Sequence, residues 1–354
     1  MIEMAEIFRQ YKEEYLSKYG DRILPSHRKA IDDIIACRTP ALGGSLYTCS
    51  CGKTERYSYH SCGNRHCPKC GNDNTTLWVA KQVTHIPAVP CFLVGFAPPH
   101  ELNKVIRSNQ KACYSLLFKA SSESIKKLAA DPRLLGAQPG MLGVLHTWGR
   151  SMPNHPHIHY VVPGGGIDKN GKWIYTPYKQ KFFLPAKAIS PIFRAKFRDG
   201  MKALGLYDAV PKVVWKKSWV VNCKRVGKGP EVIKYLSRYI YRVAITNKRI
   251  LSLIDGEVTF KYQPVDTNVW KTMKLPVLAF MARFLQHVLP KGFCKVRYYG
   301  FLHQRCREKL KSIKKQLKLP EVKVPVVEPR KYFCSHCGEE LVLVRILQPQ
   351  RGPP

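Results

Sequence analysis

The stretch His155-Pro156-His157-Ile158-His159, followed by Tyr160-Val161-Val162-Pro163 and three glycines, decides the fold of this chain. Its valine, isoleucine and tyrosine residues favour a β-strand. Alternate residues of a strand project from one face, so His157 and His159 lie side by side while Ile158 turns into the core. Two imidazoles at that spacing can bind one divalent metal ion. The alternative is a chance cluster in a half-buried strand, and three alternating histidines in a chain with only 12 make that less favoured.

The composition indicates a polyanionic partner. Lys and Arg number 59 against 24 Asp and Glu, which gives a formal net charge of +35 over 354 residues. Nucleic acid is the first candidate for such a partner, and an acidic membrane surface is the second. The apolar stretch from Leu275 to Leu289 is interrupted by Arg283 and His287, so it does not predict a membrane span. Residues 1–11 contain acidic residues and no apolar signal core, and we expect a cytoplasmic protein.

The 13 cysteines of a cytoplasmic protein are expected to bind metal rather than to form disulfides. Two pairs, Cys49-Ser50-Cys51-Gly52 and Cys67-Pro68-Lys69-Cys70-Gly71, each close on a glycine, which predicts a zinc ribbon with structural Zn²⁺. The first pair is tighter than the usual spacing, and Cys62, His60 and His66 are spare donors, so the four ligands stay open. Zinc would supply the folding energy of a segment too small for its own core.

Basic and aromatic side chains interleave through the same cysteine-rich head. This pattern suits a module that contacts DNA, because bases stack on aromatic rings while cations meet the phosphates. We predict DNA contacts by Arg65 and Lys69 in particular. The other members of the pattern are Lys53, Arg56, Tyr57 and Tyr59.

The sequence in the middle of the chain predicts strands and helices in the order β-α-β-β-α-β. The predicted strands are 91–97, 141–148, 156–162 and 213–221, and the predicted helices are 101–129 and 186–204. The short link from Gly149 to Asn154 makes the second and third strands an antiparallel hairpin. This order predicts an α+β, ferredoxin-like core with an antiparallel sheet, in which the third, histidine-bearing strand is central.

A helix with two tyrosines is predicted after the fourth strand. Gly229-Pro230-Glu231 opens it, because Pro suits the first helical position and Glu the first turn, and it runs to about Asn247. Tyr235 and Tyr239 are four residues apart and share one face, whereas Tyr241 points elsewhere. Alone, this pattern favours an aromatic stripe on an amphipathic helix. Three cations on a neighbouring face are candidates for DNA contact: Lys234, Arg238 and Arg242.

Together these pieces resemble the HUH endonucleases, in which a His-hydrophobic-His strand and a tyrosine helix share a ferredoxin-like core. The closer resemblance is to the two-tyrosine transposases of the insertion sequence 91 type, which have an N-terminal cysteine-rich domain. It covers about residues 30–310 and is carried by Cys37-Arg-Thr-Pro-Ala-Leu-Gly-Gly, Ser61-Cys-Gly-Asn-Arg-His-Cys-Pro-Lys-Cys70, His146-Thr-Trp-Gly149, His155-Pro-His-Ile-His159 with Gly164-Gly-Gly166, Tyr235-Leu-Ser-Arg-Tyr239 and Tyr298-Tyr-Gly-Phe301. It implies rolling-circle transposition of single-stranded DNA by a bacterial, nucleoid-associated enzyme.

The residues support a metal-dependent strand transfer. A divalent ion held by His157 and His159, Mg²⁺ or Mn²⁺ rather than Zn²⁺, would orient a phosphodiester and stabilise the charge that develops on its oxygens. Tyr235 or Tyr239 would attack the phosphorus, forming a 5′-phosphotyrosine and freeing a 3′-hydroxyl. The covalent link conserves the phosphoester, so strands can be rejoined without ATP.

The third metal ligand depends on the register of the hairpin. His146 joins the other two if it lies directly opposite His157 or His159, whereas a shift by one residue turns it into the core. Glu231, one turn before Tyr235, is the alternative ligand. His155 shares the histidine face at the mouth of the strand, where we expect it to contact the substrate DNA.

The sequence after the tyrosine helix predicts further strands and helices. A hairpin at 251–263 turns at Asp255-Gly256, helices follow at 273–288 and 302–317, and 320–330 is a linker rich in Pro and Val. Cys334-Ser-His-Cys337-Gly is half a zinc knuckle, which either completes a site in another chain or is a remnant. The predicted domains are a zinc-binding head at 1–85, an HUH nuclease at 86–318 and a tail at 319–354.

Two other functions fit the same residues. A replication initiator or relaxase would share the chemistry and differ only in its DNA context. A non-catalytic zinc-ribbon DNA-binding protein would use the histidines structurally, and metal-dependent nicking of single-stranded DNA would exclude it. The expected partner is DNA, as single strands or hairpin ends of a mobile element, and not a membrane.

Overall fold

The computed structural model describes residues 2–71, 78–79, 82, 84–177, 181–229, 231–232, 243–264, 267–320 and 330–350, which form a mixed α/β fold with antiparallel sheets. The helices are α1 (Met4–Tyr19), α2 (Pro25–Ala36), α3 (Asn103–Ser108), α4 (Gln110–Ala129), α5 (Ala186–Ala203), α6 (Val277–Leu285) and α7 (Arg307–Gln316). The strands are β1 (Gly44–Thr48), β2 (Glu55–Tyr59), β3 (Pro90–Ala97), β4 (Gln138–Pro139), β5 (Met141–Trp148), β6 (Asn154–Pro163), β7 (Gly165–Ile167), β8 (Trp173–Tyr175), β9 (Val220–Lys228), β10 (Ile250–Ile254), β11 (Glu257–Tyr262), β12 (Lys271–Pro276), β13 (Val296–Tyr299) and β14 (Val342–Leu347).

A five-stranded sheet in the order β13-β5-β6-β3-β9 forms the centre of the molecule. The predicted hairpin of the second and third strands is confirmed as β5 and β6, and β6 is the middle strand. Helices α4 and α5 cover one face, where Ile158 and Tyr160 of β6 are fully buried with Phe92 of β3. The two helices pack closely because Gly200 of α5 has no side chain where Leu116 of α4 approaches it.

The other face of this sheet is divided between an apolar half and the histidines. Leu93, Leu142 and Val161 are buried there under Phe301 and α7. His157 and His159 lie on the same face as Val161, because alternate strand residues share a face. The histidines therefore occupy the half of the face that α7 leaves open.

The fourth strand of the core begins later than predicted. Residues 213–221 were expected to form it, but Pro211 opens a 3₁₀ turn, Lys212–Trp215, and β9 begins at Val220. The apolar run is explained by burial of Trp215 and Trp219 against the helices rather than by pairing in the sheet. Strand β9 itself is an edge strand, so its sequence is largely polar.

The predicted helices also need correction. The helix expected at 101–129 is two helices, α3 and α4, which meet at Asn109. The tyrosine helix was expected to run to about Asn247, but residues 243–246 are not helical. The hairpin with Asp255-Gly256 is confirmed as β10 and β11, and β12 adds a third strand that replaces the beginning of the helix predicted at 273–288.

A second core joins the head to this three-stranded sheet. Phe8 of α1 meets Phe284 of α6 edge to face, with ring centroids 5.7 Å apart, and Phe260 of β11 packs against Phe280. Cys37, Cys67 and Cys70 are buried in the same cluster. The cysteine-rich segment is therefore anchored to the body of the protein.

A third sheet joins strands of the head and of the tail. Strand β14 pairs with β1, which pairs with β2, all antiparallel. The three-domain division of the chain stays a prediction, but residues 342–347 lie in the sheet of the head. Among the described residues, no helix is long and apolar enough to cross a membrane.

Candidate metal centre and nucleic-acid interface

Three histidines meet at the centre of the open sheet face. His146 of β5 lies directly opposite His157 of β6, so the register that the sequence required for a third histidine is confirmed. The ring centroid of His146 is 5.3 Å from that of His157 and 5.6 Å from that of His159, and the latter two are 4.9 Å apart. One nitrogen of each ring lies within 4.8 Å of the others, a donor set that fits a divalent ion.

Burial keeps the imidazole rings of His157 and His159 neutral, and a hydrogen bond orients the ring of His157. Burial lowers the pKa of His157 to about 3 and that of His159 to about 4, with the neighbouring His159 and Lys224 respectively as further causes. The Nδ1–H of His157 donates to the main-chain carbonyl of His155 at 2.8 Å, which leaves its Nε2 lone pair free for a metal. Neutral imidazoles with a fixed tautomer are the ligand form that a metal requires.

Gly95 of β3 lies beside the histidines. Gly95 pairs with His159 on one side and with Asn222 of β9 on the other. A Cβ added at Gly95 would meet only the His159 ring among the described residues, at 3.5 Å from Nδ1. Asn222 is exposed, as is Lys224 two residues along β9. The surface therefore combines imidazole ligands, a position without a side chain and an exposed cation, a combination that suits a phosphodiester.

The two remaining candidates on this face are placed differently. His155 is half-buried with its ring centroid 5.0 Å from that of His157, and burial lowers its pKa. Glu231 is exposed, and its carboxylate lies near Gly227 of β9. Glu231 does not belong to the group of donor atoms formed by the three histidines, so the geometry favours His146 as the third ligand.

The predicted nucleophiles lie outside the described residues. These nucleophiles are Tyr235 and Tyr239. Tyr241 and the predicted DNA contacts Lys234, Arg238 and Arg242 also lie outside the described residues. The segment that leads to them is described as far as Val232, which is fully buried with Leu93 and Val161 on the histidine face. Val232, three residues before Tyr235 in the sequence, therefore lies against the face of the sheet that carries the histidines.

The cysteines form two tetrads instead of one ribbon. The first tetrad is Cys37, Cys62, Cys67 and Cys70, whose sulfurs all lie within 4.8 Å of one another. Hydrogen bonds from the thiols of Cys62 and Cys67 hold the pKa of Cys37 well below its usual range, which favours a thiolate. Four sulfurs at this spacing fit a structural zinc site.

The second tetrad is Cys49, Cys51, Cys334 and Cys337. The grouping of Cys49 and Cys51 with Cys67 and Cys70 was wrong, because β14 brings the tail cysteines to the loop between β1 and β2. Cys37 was not chosen as a ligand because it lies apart from the paired cysteines and has no glycine knuckle. The tail pair was recognised as half a site, and its partner pair lies in the same chain.

Of the three spare donors in the head, Cys62 belongs to the first tetrad and the two histidines belong to neither tetrad. His66 is buried, and its Nε2 accepts the main-chain N–H of Leu289 at 3.2 Å, so this ring serves packing rather than zinc. Burial lowers its pKa well below the ordinary value. His60 belongs to neither tetrad.

Two predicted DNA contacts have structural partners. The Arg65 guanidinium donates to the carbonyls of Phe293 at 2.6 Å and Pro290 at 3.2 Å, and burial lowers its pKa. Lys69 forms an ion pair with Glu3 at 2.6 Å. These contacts tie the head to α1 and to the segment before β13, and DNA contact by Arg65 and Lys69 stays a prediction.

A groove on the head sheet is a better nucleic-acid surface. It has a volume of about 640 Å³ and lies between β1, β2 and the chain before the tail knuckle. The guanidinium of Arg56 lies 4.3 Å above the ring of Tyr332, which meets Tyr47 edge to face. Arg330 also borders it, and none of its described lining residues is acidic. Arginines beside aromatic rings are typical of surfaces that bind unpaired bases.

Comparisons with known proteins give a consistent result. Residues 140–309 match the family described as "Putative transposase", and residues 7–97 match the family described as "Transposase zinc-binding domain". The "Putative transposase y4qJ" of Sinorhizobium fredii (strain NBRC 101917 / NGR234) is 35% identical, over 99% of this chain and 97% of the relative. The "Transposase for insertion sequence element IS801" of Pseudomonas savastanoi pv. phaseolicola is 26% identical, over 89% and 82% respectively. No solved structure matches the chain.

Proposed function

This chain belongs to the transposases of the insertion sequence 91 type, and from that premise we propose that it nicks single-stranded DNA at the ends of a mobile element and transfers the strand through a 5′-phosphotyrosine. The observation that carries the proposal is the cluster of His146, His157 and His159 on adjacent strands. A transposase of another chemistry would have no need for three imidazoles that meet on one face of the sheet.

The fold supports an HUH core. The strands β5, β6, β3 and β9 lie side by side in that order, and α4 and α5 lie in the connections of the chain from β3 to β5 and from β6 to β9. This is the arrangement of a ferredoxin-like β-α-β-β-α-β unit, to which β13 adds an outer strand. We propose that the unit is the nuclease core and that β6 presents its metal ligands at the centre.

The chain's own residues would hold and orient the reacting groups. His146, His157 and His159 would ligate one Mg²⁺ or Mn²⁺, which supplies Lewis-acid stabilisation of the charge on the phosphate oxygens. Lys224 adds a cation at the same face, where Gly95 places no side chain beside His159. His155 would contact the strand at the edge of the site.

The tyrosines would perform the transfer. The hydroxyl oxygen of Tyr235 or Tyr239 attacks the phosphorus and gives its proton to solvent, while the 3′-oxygen leaves and takes up a proton. The product is a 5′-phosphotyrosine and a free 3′-hydroxyl, and the reverse reaction rejoins strands. Burial of Val232 with Leu93 and Val161, on the face of the sheet that carries the histidines, supports this placement, because Val232 precedes Tyr235 by only three residues.

A covalent adduct tests the proposal. The purified protein is incubated with Mn²⁺ and a labelled single-stranded oligonucleotide from the element end, and the adduct is detected on a denaturing gel. Changing both Tyr235→Phe and Tyr239→Phe keeps the rings but removes both nucleophilic oxygens, so we expect intact DNA binding and no adduct. Tyr241→Phe is the matched control and should behave as the wild type.

Other outcomes would redirect the assignment. An adduct that persists in the double variant and maps to Tyr241 would show that other residues are the nucleophiles. Binding without any metal-dependent nicking by the wild-type protein would favour the non-catalytic DNA-binding protein. Loss of all cleavage in one single variant would show that the two tyrosines have ordered roles.

A further inference from the structure

We propose that Cys49, Cys51, Cys334 and Cys337 form a second structural Zn²⁺ site, which fastens the C-terminal tail to the head sheet of the same chain. The matched zinc-binding domain ends at residue 97, so it contains only half of these ligands. The site is independent of the proposed nuclease chemistry, because its cysteines lie on a different sheet from the histidines.

The sulfur positions fit a metal better than disulfides. Sulfurs around a tetrahedral Zn²⁺ lie about 3.8 Å apart when each is ~2.3 Å from the ion. The Sγ atoms of Cys49 and Cys337 are 3.3 Å apart, and those of Cys51 and Cys334 are 3.7 Å apart. All four lie within 4.8 Å of one another, whereas a disulfide bond needs sulfurs at about 2.0 Å.

The two halves of the site have matching turns. Each cysteine pair closes on a glycine in the left-handed region, Gly52 with φ +71° and Gly338 with φ +78°. The N–H of Gly52 donates to the carbonyl of Cys49 at 3.0 Å, and that of Gly338 to the carbonyl of Cys334 at 3.1 Å. Turns of this kind point both sulfurs of a pair to one side, as in a zinc knuckle.

Neighbouring groups support a thiolate at Cys334. Its sulfur lies 3.0 Å from the hydroxyl of Thr54 and 3.3 Å from the main-chain N–H of His336, and both can donate to it. Donors around a ligand sulfur stabilise the negative form that binds zinc. One donor comes from the head and the other from the tail, so the surroundings of the site are also built by both ends.

Apolar burial alone cannot hold the tail in place. Within the part of the chain that the structure describes, the cluster around the site has three buried members, Cys49, Cys334 and Leu341. Strand β14 leaves its apolar side chains in solvent, since Val342, Val344 and Ile346 are 62%, 53% and 67% exposed. A strand with so little buried surface needs another source of folding energy, and a metal can supply it.

Metal content of the purified full-length protein tests the proposal. We expect two Zn²⁺ per chain in the wild type and one in the double variant Cys334→Ser with Cys337→Ser. The matched control changes Cys294→Ser and Cys306→Ser, which belong to neither tetrad, and should keep two. One Zn²⁺ in the wild type, or two in the tail variant, would overturn the proposal.

A second variant separates zinc loss from misfolding. Imidazole nitrogens also ligate Zn²⁺, so Cys334→His with Cys337→His should restore the second ion that the serine variant loses. Limited proteolysis should cut the tail in the serine variant and spare it in the histidine variant. Protein found to be free of zinc is alkylated under non-reducing conditions. If these four cysteines stay unmodified and the protein has the mass expected for two disulfides, the link between head and tail is covalent and does not depend on a metal.

Discussion

The histidine cluster and the two cysteine tetrads are assembled by different means. His146 and His157 are brought together by one strand register, and the surrounding sheet is buried on its helical face by a large apolar core. The cysteines lie on turns, and Cys51 and Cys334 are 283 residues apart. The histidine site should therefore keep its shape without metal, whereas the cysteine sites need metal to keep theirs.

The largest expected effect is loss of zinc from the first tetrad. Structural zinc binding contributes on the order of 10 kcal/mol in small zinc modules, so Cys67→Ser should unfold the segment around residues 37–70. Hydrogen exchange followed by mass spectrometry should show lost protection there and retained protection in β5 and β6. Cys306→Ser, outside both tetrads, should leave both regions protected. Loss of protection throughout β5 and β6 would contradict the contrast between the two kinds of site.

The next effect concerns activity without unfolding. Changing both His157→Ala and His159→Ala should lower metal-dependent nicking on the order of 10³-fold, because the phosphate loses its electrostatic stabilisation. DNA binding should persist, since it depends on the basic surface. His100→Ala, an exposed histidine outside the cluster, is the control. Nicking at the wild-type rate by the double variant would remove the metal-site assignment.

Alanine substitutions at two glycines of the central sheet test how strongly this sheet fixes the register of the strands that carry the histidines. A Cβ at Gly143 would lie 2.5 Å from the fully buried ring of Tyr160, so Gly143→Ala should lower the free energy of unfolding by about 3 kcal/mol. Gly95→Ala makes only an ordinary contact with His159 and should change stability by less than about 1 kcal/mol. Urea denaturation compares the two, and equal losses would show that the spacing at Gly143 is not the cause.

The smallest expected effect is a loss of stability at acid pH, caused by a buried histidine outside the metal cluster. His287 accepts from the Thr147 hydroxyl at Nδ1 and donates from Nε2 to the Met152 carbonyl, and burial lowers its pKa to about 4. Its folded pKa lies below the unfolded value, so stability present above pH 6.5 is lost as the pH falls toward 4.

The change expected from His287 is measurable by urea denaturation. Between pH 7 and 5 the contribution of His287 to the loss should be about 1–2 kcal/mol, and His287→Asn should reduce the total loss by that amount. The same change at the exposed His100 should leave the pH dependence intact. An unchanged pH dependence in His287→Asn would assign the acid response to other groups.

The histidine site could be predicted because the alternation of side chains along a strand shows which residues share a face of the sheet. Ile158 is fully buried on the helical face while its two neighbours point to the opposite face, and only one parity of the register brings His146 onto the histidine face. The start of β9 could not be predicted, because Trp215 and Trp219 are apolar for helix packing and the strand is polar at the sheet edge.

The cysteine partners could not be predicted for a different reason. Nearness in sequence favours joining Cys49 and Cys51 to Cys67 and Cys70, and only the pairing of β1 with β14 reveals the correct group. Neither β14 nor β1 has a distinctive pattern that selects the other. Contacts between the ends of a chain follow from the complete fold and not from local spacing.

The place of β14 has a consequence for synthesis of the protein. Strand β1 is made before every strand of the central sheet and β14 after all of them, so the head sheet gains this edge only once the central sheet has been synthesised. A product shortened by a premature stop codon before Cys334 would keep His146, His157 and His159 yet lack one edge of that sheet. Pairing of β14 thus makes the complete fold of the head depend on synthesis of the whole chain between the two strands.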